Sequence, residues 1–289
     1  MMVQYVVNGL AVNVTVGEGE RPPQRTPPLL LLHGFTGSAA AWGDLLPALG
    51  AGLTTYAVDL IGHGATESPA GLDHYRMPAV VADLETLLNL LNLPRVAVLG
   101  YSMGGRTALQ FAVSYPERVS ALLLESASPG IADPTERAAR VRSDEALAER
   151  ILRDGVPAFV REWEALPLFC SQTRLPAAAQ QAQRAQRLRN NPLGLANSLR
   201  GMGAGAQEPV WPALSALPVP VLLIAGADDG KYVGLARAMA ERMRQAHVVI
   251  VPETGHTVHL EQPQVFIAAV RGFLQEAGQE MGIAEGSRA

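Results

Sequence analysis

The pentapeptide Gly100-Tyr101-Ser102-Met103-Gly104 lies between the apolar run Val96–Leu99 and a helical pattern that begins at Met103. It has the form G-x-S-x-G, and a buried strand before it with a helix after it is the setting of a nucleophile elbow. The glycines permit the strained turn that lifts a serine hydroxyl above a sheet, and the helix points its positive N-terminal end at that hydroxyl. The stretch therefore predicts that Ser102 is a catalytic serine.

Short apolar runs separated by helical patterns extend in both directions from this motif. An antiparallel hairpin is predicted around Asn8-Gly9, between the alternating segments Val3–Val7 and Leu10–Val16. Continuous runs typical of buried strands are Pro27–Leu32, Leu53–Val58, Arg95–Leu99, Val119–Leu124, Val219–Ala225 and His247–Val251, and helical patterns include Pro78–Leu91, Met103–Tyr115 and Gly234–Arg244. The alternation predicts an α/β-hydrolase fold, in which a mostly parallel central sheet carries helices on both faces.

The alternation is interrupted once, by about ninety residues without a strand pattern. Helix starts are predicted there at Asp133-Pro134, at Pro176 and at Asn191-Pro192. We therefore expect four segments: residues 1–130 and 213–276 as the two parts of the α/β core, residues 131–212 as a helical lid inserted between them, and residues 277–289 as a flexible tail.

Composition and charge exclude several classes of protein. The chain has 289 residues and a formal charge of −4, and no basic run suggests binding to nucleic acid. The single cysteine, Cys170, cannot form an intramolecular disulfide. We expect a cytoplasmic protein that does not bind membranes, because no segment reaches the roughly 18 apolar residues of a membrane span and the N-terminus lacks the pattern of a signal peptide. No feature specifies an oligomeric state.

A serine of this kind needs a histidine base and an acid, in the chain order serine, acid, histidine. His256 follows the last predicted strand, and Asp228 and Asp229 both follow the strand before it. Spacing alone does not separate the two aspartates. His259 is the weaker candidate for the base, because it falls inside the start of the next helix.

The same fold predicts two amides that stabilise an oxyanion. One comes from the loop after an early strand, here His33-Gly34-Phe35-Thr36-Gly37, and the other comes from the residue after the nucleophile. We therefore expect the backbone N–H groups of Phe35 and Met103 to form the oxyanion hole. No metal-ligand spacing and no phosphate-binding glycine motif is present, so neither a metal nor an organic cofactor is expected.

Arginines distinguish this sequence from that of a generic esterase. Arg106 follows Ser102 by one helical turn and lies on the same helix face. Further arginines occur in the predicted lid, at Arg137, Arg140 and Arg142, and at Arg187 and Arg189. Because the planar guanidinium suits carboxylates, the cluster indicates a small, multiply anionic substrate. The alternative for each lid arginine is a solvated side chain or one paired with an acidic residue.

Taken together, these motifs resemble the 2-succinyl-6-hydroxy-2,4-cyclohexadiene-1-carboxylate synthases of menaquinone biosynthesis, members of the α/β-hydrolase superfamily. The distinctive pieces are Gly100–Arg106, the lid stretch Glu136–Arg140, Trp163 with Pro167–Phe169, Leu188–Asn191 and Asp229–Tyr232. The elbow is shared with many hydrolases, whereas the lid pieces are more specific. The resemblance spans the chain from His33 to His256.

The resemblance implies roles for individual residues. It selects Asp229 over Asp228 as the acid of a triad with Ser102 and His256, because Asp229 stands two residues before Lys231, the only lysine in the chain. It implies that substrate is bound by Tyr101, Arg106, Arg140, Trp163, Phe169, Arg189 and Lys231. Tyr232 stands where the family usually has phenylalanine, a departure that touches no proposed catalytic role.

The resemblance also implies a reaction that is not hydrolysis. The family eliminates pyruvate from 2-succinyl-5-enolpyruvyl-6-hydroxy-3-cyclohexene-1-carboxylate, a carbon–oxygen lyase reaction. The alternatives are a serine carboxylesterase, thioesterase or C–C hydrolase, which would need an apolar acyl pocket, and, in a different class, a noncatalytic small-molecule receptor on the same fold.

Overall fold

A computed structural model describes residues 1–17 and 27–286 and shows one eight-stranded sheet in its described part. The strand order is β1-β2-β4-β3-β5-β6-β7-β8, where the strands are β1 Met2–Val7, β2 Leu10–Gly17, β3 Leu29–Leu32, β4 Thr55–Val58, β5 Val96–Tyr101, β6 Val119–Glu125, β7 Val221–Gly226 and β8 Ala246–Val251. Strands β3 to β8 are parallel to one another, and β2 is antiparallel to both β1 and β4. The predicted fold class is confirmed.

Helices connect these strands and cover both faces of the sheet. In the described residues they are α1 Leu46–Leu49, α2 Met77–Leu90, α3 Met103–Ser114, α4 Pro134–Glu164, α5 Ala177–Leu188, α6 Pro192–Met202, α7 Gly230–Ala240, α8 Val258–Glu261 and α9 Pro263–Gly286, and 3₁₀ turns lie at Ala39–Trp42, Leu72–Tyr75, Pro116–Arg118, Pro167–Arg174 and Trp211–Ala216. None of the described helices is long and apolar enough to span a membrane.

The continuous apolar strands are explained by burial on both faces. In β3, Leu30 and Leu32 pack in a cluster with residues of α2 and α3, whereas Leu29 and Leu31 pack in a second cluster with residues of α1 and α9. Successive side chains of a strand point to opposite faces, so a strand between two helical layers needs apolar residues at every position. The carboxyl ends of the strands are thereby held in fixed positions.

The segment 126–220, all of it described, contains helices and no strand. Its helices α4 and α6 pack together through a third apolar cluster that includes Ile151, Phe159 and Leu195. The predicted caps are present, because the Asp133 carboxylate accepts the N–H of Glu136 at 2.8 Å and the Asn191 amide oxygen accepts backbone N–H groups of α6.

The C-terminal segment differs from the sequence-based expectation. A flexible tail was predicted for residues 277–289; α9 runs to Gly286, so residues 277–286 are helical, and the flexibility of this segment stays a prediction. Phe266, Val270, Phe273 and Ala277 are all buried in the second apolar cluster, at spacings that place them on one helix face. Residues 287–289 lie outside the described residues.

Candidate active site

Ser102 occupies a strained turn between β5 and α3. Its backbone has φ of 52° and ψ of −106°, a region that non-glycine residues rarely adopt. The turn closes because its neighbours lack side chains: a Cβ on Gly100 would lie 2.3 Å from the carbonyl oxygen of Gly104, and one on Gly104 would lie 2.1 Å from that of Leu32. The two glycines therefore allow α3 to pack directly against β3 and β5 behind the serine.

A hydrogen-bonded chain joins Ser102 to a buried acid through His256. The serine Oγ lies 3.0 Å from Nε2 of His256, and Nδ1 of the same ring lies 2.7 Å from Oδ2 of Asp229. The imidazole is 2% exposed and Asp229 is 9% exposed. An aspartate acceptor keeps the proton on Nδ1, which leaves Nε2 free to accept a proton from the serine. This arrangement can perform general-base chemistry.

Asp228, the alternative acid, points elsewhere. Its carboxylate accepts a hydrogen bond of 2.7 Å from Arg174, and both side chains are about half exposed. His259, the weaker candidate for the base, is buried and directs Nδ1 at the Glu125 carboxylate, 2.7 Å away. It does not line the cavity at Ser102. Of these alternatives, only Asp229 and His256 are joined to the serine.

The two backbone amides expected to form an oxyanion hole are available. Among the residues that the structure describes, neither the N–H of Phe35 nor that of Met103 donates to another group of the protein. Both residues line the same cavity as Ser102. The ring of Phe35 packs edge-on against Trp163, with 5.4 Å between ring centres, so the loop is held in place by the inserted helices.

A cavity of about 870 Å³ opens in front of Ser102 and His256. It lies between the sheet core and the inserted helices, and apolar side chains cover much of its wall. Six of the seven predicted substrate-binding residues line it: Tyr101, Arg106, Arg140, Trp163, Phe169 and Lys231.

Arg106 is a partly buried cation without an ion pair in the described part of the chain. Its Nη1 donates to two neutral acceptors, the carbonyl oxygen of Met202 at 2.7 Å and Oε1 of Gln207 at 2.8 Å. Burial lowers the pKa of the guanidinium to about 10, so it remains charged at neutral pH. Because a desolvated cation is costly unless an anion compensates it, the cavity is electrostatically suited to a carboxylate.

Arg140 reaches the cavity from α4. Its Nε donates to Asp144 at 2.7 Å, and Asp144 is buried while the arginine is partly exposed. This pair is neutral overall and stands beside Arg106. Burial raises the pKa of Asp144, and the two arginines act in the opposite direction. The net charge of the three side chains is therefore +1 when all are ionised.

Arg189, the seventh predicted substrate-binding residue, does not line the cavity. Helix α5 ends at Leu188, and Arg189 is exposed in the turn that follows. Arg187, two residues earlier and hence on another side of the helix, is buried instead. Its guanidinium lies 5.3 Å above the ring of Phe169 and 3.2 Å from Glu164, so the buried arginine of this helix supports the cavity wall rather than facing the cavity.

Tyr101 lines the cavity, but its hydroxyl is occupied. It lies 2.9 Å from Oγ1 of Thr257, which also accepts a hydrogen bond of 2.9 Å from the amide of Gln172. Burial raises the pKa of the Tyr101 phenol, which therefore stays neutral. These two hydrogen bonds connect Tyr101, which precedes Ser102, with Thr257, which follows His256, and with Gln172 of the inserted segment.

Sequence reasoning did not identify Gln207, Thr257 or Gln172 as parts of the site. Their partners lie 101, 156 and 85 residues away in the chain, and no local pattern marks such pairs. Adjacency to His256 was the only signal at Thr257. Within residues 1–17 and 27–286, no cluster of three or more His, Cys, Asp or Glu side chains could hold a metal ion.

Known proteins share this fold and part of this sequence. The α/β-hydrolase fold family matches residues 27–263. A protein of Bacillus subtilis (strain 168), named as a candidate 2-succinyl-6-hydroxy-2,4-cyclohexadiene-1-carboxylate synthase, is 44% identical over 272 residues, which cover 91% of this chain and 98% of that protein. The synthase of that name from Serratia proteamaculans (strain 568) is 31% identical, covering 91% and 96%. The structure of MenH from S. aureus superimposes with a TM-score of 0.87 and 33% identity, covering 91% and 98%.

Proposed function

The chain belongs to the α/β-hydrolase family and, within it, to the 2-succinyl-6-hydroxy-2,4-cyclohexadiene-1-carboxylate synthases, and from this premise we propose the reaction that it catalyses. The proposed substrate is 2-succinyl-5-enolpyruvyl-6-hydroxy-3-cyclohexene-1-carboxylate, and the proposed products are pyruvate and the cyclohexadiene of the family name. The proposed setting is menaquinone biosynthesis in the cytoplasm.

The observation that carries this proposal is the placement of Arg106 beside the proposed triad. The substrate bears three carboxylates, and the partly buried guanidinium has only neutral hydrogen-bond partners in the described residues. An esterase for apolar acyl groups would leave this charge uncompensated. A substrate carboxylate supplies the missing anion, and a guanidinium binds it through charge-assisted hydrogen bonds.

In the proposed mechanism, Ser102 and His256 remove the proton from the ring carbon next to the succinyl carbonyl. His256 Nε2 accepts the serine proton while the serine oxygen takes the substrate proton, and Asp229 stabilises the resulting imidazolium. The C–H electron pair forms an enolate, whose oxygen is held by the amides of Phe35 and Met103. The enolate then re-forms its carbonyl, the ring double bond shifts, and the C–O bond to the enolpyruvyl group breaks.

The leaving group departs as pyruvate enolate and becomes pyruvate when its carbon is protonated. The imidazolium of His256 holds the proton that was removed, so protons and electrons balance without another reactant. General-base catalysis contributes about 10²–10⁴ in rate, and loss of one oxyanion donor costs about 10²–10³. The groups that stabilise a tetrahedral oxyanion in a hydrolase serve here for an enolate.

The proposal is tested by supplying purified protein with the enolpyruvyl substrate, generated enzymatically in situ. Pyruvate release is followed through lactate dehydrogenase, and diene formation through its absorbance. The rate of spontaneous elimination is subtracted. Variants Ser102→Ala and Arg106→Ala are compared with Arg142→Ala, which removes an arginine from an exposed position of α4.

We expect fast release by the wild type and by Arg142→Ala, and losses of at least 10²-fold in the other two variants. Release no faster than the spontaneous rate, together with cleavage of p-nitrophenyl esters, would replace the lyase with a serine hydrolase. Tight binding of the substrate that survives Ser102→Ala, with no turnover by the wild type, would indicate a receptor.

A further inference from the structure

Tyr232 lies in the cavity beside the proposed base and carries a hydroxyl that has no hydrogen-bond partner among the described residues. It lines the cavity together with Ser102 and Arg106. Its ring centre is 4.6 Å from that of His256, at an angle of 59° between the planes. Among the described residues, its only hydrogen bond is made by the backbone N–H to Asp229, so the phenolic oxygen has no partner.

Three contacts surround Tyr232, and among them the packing on His256 limits the movement of the ring. The backbone N–H of Tyr232 donates to Oδ1 of Asp229 at 3.4 Å, at the start of α7. His256 packs on one side, and the Lys231 ammonium lies 5.6 Å from the ring centre. Because the ring is held in place, its hydroxyl can meet a ligand without a large loss of side-chain freedom.

The charges around Tyr232 favour an anionic acceptor. Arg106 and Arg140 are close enough for their charges to lower the pKa of the phenol, whereas burial, the larger effect, raises it. The phenol is therefore protonated at neutral pH and able to donate. A carboxylate has about four acceptor positions, and a single guanidinium fills at most two of them.

We infer that Tyr232 is a specificity-determining residue, whose hydroxyl donates a hydrogen bond to the substrate carboxylate bound by Arg106. This inference rests on the proposed function, because it concerns the substrate of the same site. A neutral ester or amide in that place would still accept one hydrogen bond but would leave the arginine uncompensated. The phenol and the guanidinium together thus select a ligand with a carboxylate near the reacting carbon.

The test compares Tyr232→Phe with Tyr115→Phe, which deletes the same oxygen from a ring packed beside Phe111 and outside the cavity. Loss of one hydrogen bond to a charged group weakens binding by about 10- to 100-fold. We expect KM for the enolpyruvyl substrate to rise by that factor in Tyr232→Phe, with kcat changed less than about twofold, since the contact serves ground state and transition state alike. Tyr115→Phe should match the wild type, and thermal unfolding of both variants checks their fold.

A second readout does not depend on turnover. Binding of 2-succinylbenzoate, a stable dicarboxylate with a succinyl group, is measured by calorimetry on the wild type and on both variants. We expect Kd to rise by about 10-fold or more only in Tyr232→Phe. An unchanged KM and Kd in that variant, a fall in kcat at constant KM, or no binding of the probe by the wild type would each overturn the inference. Absence of turnover by the wild type, with Kd still sensitive to Tyr232→Phe, would reject only the proposed reaction.

Discussion

Replacing Asp229 by asparagine tests the choice between the two aspartates that spacing alone leaves equivalent. Asp229 accepts the Nδ1 proton of His256 at 2.7 Å, whereas the neighbouring Asp228 pairs with Arg174 at the surface. An asparagine at position 229 can present its NH₂ group to Nδ1. The imidazole proton then moves to Nε2, which can no longer accept the proton of Ser102. The matched control is Asp228→Asn, the same change one residue earlier.

The expected loss of rate in Asp229→Asn follows from the burial of Asp229 and His256 and from the distance between their charges. Asp229 and His256 are 9% and 2% exposed, so water screens their interaction poorly. At a charge separation of roughly 4 Å and an effective dielectric constant of about 20, a carboxylate stabilises an imidazolium by about 4 kcal/mol. That corresponds to about 10³ in rate, and the wrong tautomer raises the expected loss in kcat to about 10³–10⁴. The exposed pair of Asp228 and Arg174 is screened by water and contributes little to stability and nothing to the rate.

The assay measures kcat by coupled pyruvate release at saturating substrate, with thermal unfolding to confirm that both variants are folded. We expect Asp229→Asn to lose about 10³–10⁴ in kcat and Asp228→Asn to stay within about twofold of the wild type. The opposite outcome is an Asp229→Asn variant that keeps more than about a tenth of the activity, or an Asp228→Asn variant that is equally impaired. In either case Asp229 would not be the acid that orients His256.

Three further predictions concern stability. Burial lowers the pKa of His33 to about 4 and that of His63 to about 3, so both stay neutral in the fold while the unfolded chain protonates them below about pH 6.5. The free energy of unfolding should thus fall by about 2 kcal/mol per histidine between pH 7 and pH 5, and His63→Asn should reduce this loss by about 2 kcal/mol in urea titrations. Gly104→Ala should lower stability by about 3 kcal/mol or more, seen as a lower thermal midpoint, because its Cβ would meet rigid backbone. Thr257→Val should lower the free energy of unfolding by about 2–5 kcal/mol in urea titrations, because the Tyr101 hydroxyl and the Gln172 amide both lose their hydrogen-bond partner.

Each of these variants has a matched control in the same chain. His247→Gln removes a surface histidine and should leave the pH dependence unchanged. Gly230→Ala adds a Cβ that meets nothing within 4 Å and should be tolerated. Thr173→Val removes an exposed hydroxyl that donates to the carbonyl oxygen of Cys170, and it should lower the free energy of unfolding by less than about 1 kcal/mol. If a control variant changes stability, or its pH dependence, as much as the test variant does, the structural reason given for that test variant is wrong. The same holds if a test variant changes these quantities as little as its control.

Much of the fold was predictable because its signals are local. The Asn8-Gly9 turn has φ of 49° and 88°, values that asparagine and glycine tolerate, and it joins β1 to β2 as expected. The start of α4 follows from the cap at Asp133 in the same way. The helix after β7 was predicted from Gly234 but begins at Gly230, because the Asp229 side chain accepts the N–H of Tyr232 and caps it. The helix in the predicted C-terminal tail was not foreseen, because the burial of one face of α9 as far as Ala277 depends on packing that the local composition did not show.

The sequence by itself determined the nucleophile elbow, the order of the strands along the chain and the residue types from which a site could form. The steric limit at Gly100 acts within a few residues, because its Cβ would meet the backbone of Gly104 and Gly105, and it can be read from the chain alone. Spacing alone left Asp228 and Asp229 equivalent, and the tertiary structure shows that Asp229 meets His256. Only the tertiary structure decided that Arg187 is buried while Arg189 is exposed, and that Arg106 ends among neutral acceptors. The physical reason is that tertiary packing decides the burial and the hydrogen-bond partners of each side chain. Neighbouring residues of the same type point into different surroundings, and their partners come from distant parts of the chain.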